Sequence, residues 1–307
     1  MIIALITGVI CSGLAQYFIH RFSRMALLEN QMEVYLIQDR ISLEYCYRII
    51  DRFQSWRSGP CPSCHQAHTV FDYVSLMTLF KPCISRNFFR ILIFEGTIIG
   101  IVFLFYLKYK LSILFWVYSF LILFFAIITV VDYRYYIIPD ELNFLGVGLG
   151  LLTHGVIQLL IYYSDLEIKY PTLFQGVQNF SIFESILGLL MGAGILFCIA
   201  YLTSLYLGRD SMGGGDIKLT AFIGAFLGYK ATLLALALSS VLGSVFGIAT
   251  IIKSRYIEKN EGYTMIAYGP YIILATLIVM YFGADSLIHS YEVYSMEFVE
   301  KYMRSNH

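Results

Sequence analysis

Charge is what this sequence has least of. Asp, Glu, Lys and Arg make up 14% of its 307 residues, while 58% are hydrophobic. Soluble domains sit nearer a quarter charged. A soluble core cannot absorb so much apolar surface, and several apolar runs approach or exceed the roughly 20 residues that cross a bilayer as a helix. The runs recur along most of the chain, which argues against a single buried helical core. Net charge is absent as well, with 21 basic and 21 acidic residues. Nothing in the overall electrostatics draws the chain to nucleic acid, and no such partner is expected. No Lys or Arg precedes the first apolar run, and no small-residue cleavage site follows it. That is unlike a cleaved signal peptide. His20 and Arg21 follow the run instead, so it reads as an uncleaved span with its N-terminus outside. Internal repeats and low-complexity segments are also lacking.

What is present fits an all-α fold, a polytopic transmembrane helix bundle of about eight spans. They fall at approximately 2–19, 91–107, 111–131, 142–163, 182–207, 217–229, 231–252 and 268–289. The sixth is short and Lys230 interrupts the run after it, so 217–252 as one long kinked helix would leave seven. Helix is expected throughout, because a spanning segment must satisfy its own backbone polar groups. Residues 1–19 form the first span, 20–90 a cytoplasmic domain, 91–290 a transmembrane domain and 291–307 a C-terminal tail. With the N-terminus outside, fifteen basic residues fall on inner segments and six on outer ones. That bias agrees with the positive-inside rule, and much of it comes from 20–90. This region is too small to promise an independent fold without a metal or the membrane helices.

Acidic residues at span ends raise a functional question, because charge near the apolar core is costly. Asp132 closes the third span in the run Val130-Val131-Asp132-Tyr133-Arg134, which continues to Ile138-Pro139-Asp140. Asp216 follows Gly213, Gly214 and Gly215 and precedes Ile217 and Lys218. In the topology above both carboxylates lie at the cytoplasmic edge. Two carboxylates brought close share a proton, because both cannot ionise easily. One then takes a proton from water while the other gives one to a peptide carbonyl, which is acid–base hydrolysis without a covalent intermediate. Asp140 competes as a partner for Asp132, but eight helical residues would separate them by about 12 Å. Pro139 suits a first helical turn, where the charge of Asp140 is stabilising. The plainer readings are that Asp216 caps its helix and that Asp132 is a solvated helix end beside Arg134. Three successive glycines permit unusual backbone angles and close approach to another backbone. They are not a P-loop, since Gly-Lys-Ser/Thr does not follow.

At these residues the sequence resembles the type IV prepilin peptidases, the GxGD class of membrane aspartic proteases. Three segments carry the resemblance: Asp132 through Asp140, Gly208 through Leu219 with its Gly213-Gly214-Gly215-Asp216, and Tyr268-Gly269-Pro270-Tyr271. It extends from about residue 58 to 285. It implies that Asp132 and Asp216 are the catalytic pair, with Gly213, Gly214, Gly215 and Lys218 in the active-site loop. Pro139, Asp140, Gly269 and Pro270 would give substrate or structural support. Lys218 would orient a carboxylate, hold a lipid phosphate or anchor the chain at the interface. The implied partners are membrane lipid and prepilins or type II secretion pseudopilins, cut at the inner face of a bacterial inner membrane. Proteolysis itself implies no cofactor. Many members also methylate the new N-terminus with S-adenosylmethionine, for which Glu95 resembles a family glutamate; the other reading of Glu95 is an interfacial residue.

Cys61-Pro62-Ser63-Cys64-His65 lies in the expected cytoplasmic domain, where a CxxC points to metal or redox chemistry. The family often carries two such pairs; here the second is reduced to Cys83. Zinc held by Cys61, Cys64, Cys83 and either His65 or His68 would complete a tetrahedral site, the alternative being free thiols. Cys11 and Cys198 lie in spans and are expected to be packing residues. The first span lacks the asparagine expected before Arg21, which bears on methylation more than on proteolysis. Two other function classes stay open: a secondary transporter using membrane carboxylates, and an inactive assembly scaffold.

Overall fold

The computed structural model describes residues 1–37, 88–163, 170–174, 176, 180–208, 212–252 and 266–305. Among them every regular element is a helix. Six helices are long and apolar enough to cross a membrane, or seven if one bent pair counts as a span. The chain is a multi-pass membrane protein. It divides into two units, Met1–Ile137 and Ile138–His307.

The first unit holds α1 (Ile2–Ile37), α2 (Phe88–Tyr109) and α3 (Ile113–Tyr135). Helix α3 starts where Ser112, in an extended conformation, accepts a hydrogen bond from the Phe115 amide at 3.4 Å. It ends at Tyr136, whose φ of 58° is left-handed and whose N–H donates to the Asp132 carbonyl at 2.8 Å. Residues 121–125 of α3 are buried on every side, as befits a central helix. Helices α1 and α2 approach closely at Gly8, where a Cβ would stand 3.1 Å from the Ile99 Cα.

The second unit holds α4 (Asp140–Tyr163), α5 (Ile182–Leu207), α6 (Gly214–Ile252), α7 (Gly269–Phe282) and α8 (Ala284–Ser305). Helix α6 is formally continuous over 39 residues, but Gly228 has φ 75° and ψ 175°. The chain folds back there. A Cβ on Gly192 of α5 would lie 2.4 Å from the Thr220 carbonyl oxygen and 3.1 Å from the Thr232 methyl. Twelve residues of straight helix would hold those two threonines about 18 Å apart. Gly188, one turn earlier, meets both Gly224 and Gly228. The first arm of α6, up to Leu227, is therefore antiparallel to α5, and the second arm is parallel to it. So 217–229 and 231–252 are separate segments, and the single kinked helix is not what forms.

Folding back strands carbonyls that a continuous helix would satisfy, and buried carbonyls need donors. Ser185 donates to the Ala225 carbonyl at 2.5 Å. The buried His154 ring faces a second one, with Nε2 2.9 Å from the Phe226 oxygen; its Nδ1 lies 3.0 Å from the Ser181 oxygen, which also accepts from the Ser185 amide. Phe180 stacks on the imidazole with ring centroids 4.3 Å apart. Helix α7 returns along the second arm: Tyr268 bonds Ser239 at 2.8 Å, Tyr271 stacks on Phe246, and Lys230 pairs with Asp285 at 3.6 Å.

Two boundaries differ from the expectation. Helix α1 continues to Ile37, well past residue 19. The expected last span, 268–289, stops at Gly283, whose φ of 88° turns the chain by 84° into α8. That helix runs through the boundary drawn at residue 290. Cys11 packs inside as expected, but Cys198 is exposed on the outer face of α5. Only 22% of the most apolar stretch of α2, α4, α5 and α6 is buried by protein. Their outward faces carry residues such as Leu190, Phe197, Leu205 and Val245. Such a surface is stable only against lipid.

Candidate active site

The site residues of the second unit stand on two helix starts. Helix α4 begins at Asp140 immediately after Pro139, which is buried and has no N–H to lose at a first turn. Helix α6 begins at Gly214, and the Asp216 amide donates to the Gly213 carbonyl at 3.2 Å. Two contacts join these starts. Lys218 Nζ lies 2.6 Å from Asp140 Oδ2, with about half of each side chain in solvent. The ammonium is also 5.7 Å from the centre of the Phe144 ring. A Cβ on Gly215 would lie only 3.0 Å from the Ile138 Cβ.

The three glycines differ in what they do. None has a positive φ. Gly214 has nothing within 4 Å of a Cβ position, and Gly213 would meet only the Asp216 carboxylate, at 3.6 Å. Close approach is required at Gly215 alone, where any larger residue pushes on Ile138. Asp216 itself is half-buried in the first turn of its helix. A negative charge there is favoured by the exposed N–H groups of the helix start.

Asp132 belongs to the first unit. It is only 5% exposed, one turn before the end of α3, so it is not the solvated helix end of the plainer reading. Arg134, its sequence neighbour, is exposed.

Residues 119–248 match the Type IV leader peptidase family. The match covers 130 of the 307 residues. It contains Asp132, Asp140 and the Gly213–Asp216 loop, and it is shorter than the 58–285 stretch of the initial resemblance. Relatives named prepilin leader peptidase/N-methyltransferase agree with it. One from Aeromonas salmonicida is 33% identical over 108 residues, covering 35% of this chain and 35% of the relative. One from Stutzerimonas stutzeri is 32% identical over 152 residues, 46% of this chain and 51% of the relative. One from Escherichia coli is 27% identical over 151 residues, 49% and 56% respectively. The chain thus matches about a third to a half of these relatives' length. No solved structure matches.

Outside the leader-peptidase segment the other expected residues fare differently. Glu95 is 3% exposed between α1 and α2 and accepts a hydrogen bond from Gln16 Nε2 at 3.0 Å. Gly269 and Pro270 form the first turn of α7, with Gly269 buried. Cys61, Cys64, Cys83, His65 and His68 lie outside the described residues. Among the described residues no group of three or more His, Cys, Asp or Glu is placed to hold a metal ion.

Three polar residues carried no weight in the sequence reading. His154 and Gln16 are polar groups within apolar runs, which is itself a signal worth following. Asn143 is the third. It is fully buried on the α4 face that also carries Gly146 and Gly150, and neither amide atom has a hydrogen-bond partner among the described residues. Such an amide usually costs about 1–3 kcal/mol. Nothing among the described residues explains it.

Proposed function

We propose that this chain is a membrane aspartic endopeptidase. It removes the leader of type IV prepilins or type II secretion pseudopilins at the cytoplasmic face of the inner membrane, with Asp132 and Asp216 as its catalytic pair. The observation that carries this reading is the leader-peptidase segment itself, which holds both aspartates at helix ends. The linkage of the two helix starts in the second unit supports it. Ile138, six residues after Asp132 in the chain, packs on Gly215 beside Asp216.

In this mechanism one carboxyl is protonated and the other ionised. The ionised group takes a proton from water as the water oxygen bonds to the scissile carbonyl carbon. The protonated group gives its proton to the carbonyl oxygen. Collapse of the tetrahedral intermediate breaks the C–N bond: the leaving amine takes a proton from the pair, and a hydroxyl of the intermediate returns its proton to the pair as the carbonyl re-forms, restoring it. In the active-site loop Gly213 and Gly214, open at their Cβ positions, let an extended peptide approach Asp216, while Gly215 seats the start of α6 on Ile138. The Lys218–Asp140 pair, together with Pro139, fixes that loop against α4, while Gly269 and Pro270 give structural support at the start of α7.

Methylation of the new N-terminus rests on the relatives' names. Glu95, hydrogen-bonded to Gln16, is the residue proposed for that step, with S-adenosylmethionine as the methyl donor. Zinc bound by Cys61, Cys64, Cys83 and His65 would be a structural addition to the cytoplasmic domain.

The test is co-expression with a prepilin, followed by mass spectrometry of the prepilin N-terminus. Wild-type protein should release the leader, and Asp132→Asn or Asp216→Asn should each leave it attached. Cleavage unchanged in either variant would sink the catalytic assignment. The same spectra read methylation directly.

A further inference from the structure

The carboxyl-terminal helix α8 has no place in the proteolytic reading, yet its geometry is specific. It leaves α7 at 84° through Gly283 and runs from Ala284 to Ser305. Its first turn is tied to the second arm of α6 by Lys230 and Asp285. Those residues stand by the Gly228 turn, at the opposite end of the first arm from Asp216. A helix leaving a crossing element at nearly a right angle runs along the membrane plane.

Its side chains sort accordingly. At 100° per residue, Leu287, Ile288, Tyr291 and Tyr294 fall within one arc of the helix. Asp285, His289, Glu292 and Glu300 fall on the opposite side. Leu287 and Ile288 are partly buried at the root of the helix. The same face then continues outward as Tyr291 and Tyr294, 72% and 68% exposed. Titratable groups recur along its whole length, so α8 cannot continue the span begun by α7. Tyrosine prefers the headgroup level, where its ring meets acyl chains and its hydroxyl meets water.

We infer that α8 is an interfacial helix, lying in the headgroup layer on the membrane face opposite Asp216, with Tyr291 and Tyr294 turned into the lipid. The partner is the bilayer surface, which is continuous with the lipid around the spans. The charges of α8 favour zwitterionic lipid: Asp285, Glu292, Glu297 and Glu300 outnumber Lys301 and Arg304, and Arg304 pairs with Glu300 at 2.5 Å. The attraction is apolar and weakly dependent on salt, unlike that of a basic amphipathic helix.

The test places a reporter on each face of the full-length protein in phosphatidylcholine vesicles. Tyr294→Trp lies on the apolar side. Met296→Trp, two residues on and about 200° round, lies on the other. Phosphatidylcholine brominated near the glycerol end of its chains quenches nearby indole. The emission added by Tyr294→Trp should be blue-shifted and quenched several-fold more than that added by Met296→Trp. Equal quenching at both positions, or none at Tyr294→Trp, overturns the inference. A blue shift that grows with protein concentration without bromine quenching also overturns it, and assigns the face to a second copy of the chain. Leader cleavage is a separate readout, so the proteolytic reading stands or falls independently.

Discussion

Replacing Gly224 with alanine tests the fold-back of α6 most directly. An added Cβ would lie 2.1 Å from the Gly188 carbonyl oxygen, 2.4 Å from its carbon and 2.8 Å from the Leu189 nitrogen. All three are backbone atoms, so no side chain can swing away. Restoring ordinary contact requires α5 and the first arm of α6 to separate by more than 1 Å. A gap of that size forfeits a quarter to a half or more of each contact, and a contacting pair of atoms is worth about 0.1–0.2 kcal/mol. On the order of twenty to forty such pairs across the interface would lose roughly 0.5–4 kcal/mol. The Ser185–Ala225 and Thr220–Gly192 hydrogen bonds span the same gap. Each adds about 0.6 kcal/mol if broken, the average for such bonds in a membrane protein. The loss should therefore be about 2–5 kcal/mol. The assay is reversible unfolding of the detergent-solubilised protein by increasing SDS mole fraction, with Gly194→Ala as control because nothing lies within 4 Å of its Cβ position. If Gly224→Ala unfolds at the same midpoint as Gly194→Ala, the backbone-to-backbone packing of α5 and α6 is wrong.

Gly215→Val should lower prepilin cleavage by about tenfold or more, with partial recovery in the Gly215→Val/Ile138→Ala double variant, because the opposing side chain sets the contact. Recovery of nothing, with the protein still folded, would mean that Gly215 acts otherwise. His154→Phe keeps the stack on Phe180 but removes the ring nitrogen that faces the Phe226 carbonyl, while the Ser181 carbonyl keeps the Ser185 amide. A loss of about 1–3 kcal/mol in the same SDS titration is expected, and no loss would deny the ring its role at the Phe226 carbonyl. Lys218→Met should change stability by less than about 1 kcal/mol, because the ion pair with Asp140 is half-exposed. Its larger effect should appear in cleavage, shared by Asp140→Asn and not additive with it in the double variant.

The helices of both units were legible because apolar length is a strong signal in a bilayer. Runs at 142–163 and 182–207 became α4 and α5 with little change. The fold-back of α6 was half-legible. Lys230 marked the interruption, but the reversal is set at Gly228 and depends on glycines at 188, 192, 224 and 228. Their spacing of four is the small-residue pattern of close helix pairs, and it was present in the sequence. The end of α7 was misplaced because Ala284, Leu287 and Ile288 extend an apolar pattern past Gly283. Only the positive φ of that glycine and the charges beyond it end the span. The tight position within the Gly213–Gly215 run could not be read locally, since it is chosen by Ile138, 77 positions earlier in the chain. The burial of Asp132 likewise depends on tertiary packing around the end of α3, where its immediate neighbours Tyr133 and Arg134 are exposed.

Helix α7 has 14 residues and the first arm of α6 has a similar length, so each rises about 21 Å. The hydrocarbon slab is about 30 Å thick. Two elements of one unit that fall short by a third create a hydrophobic mismatch, which is relieved by pinching the surrounding lipid or by admitting water. Either response leaves a peptide bond beside them better hydrated than its depth alone would allow.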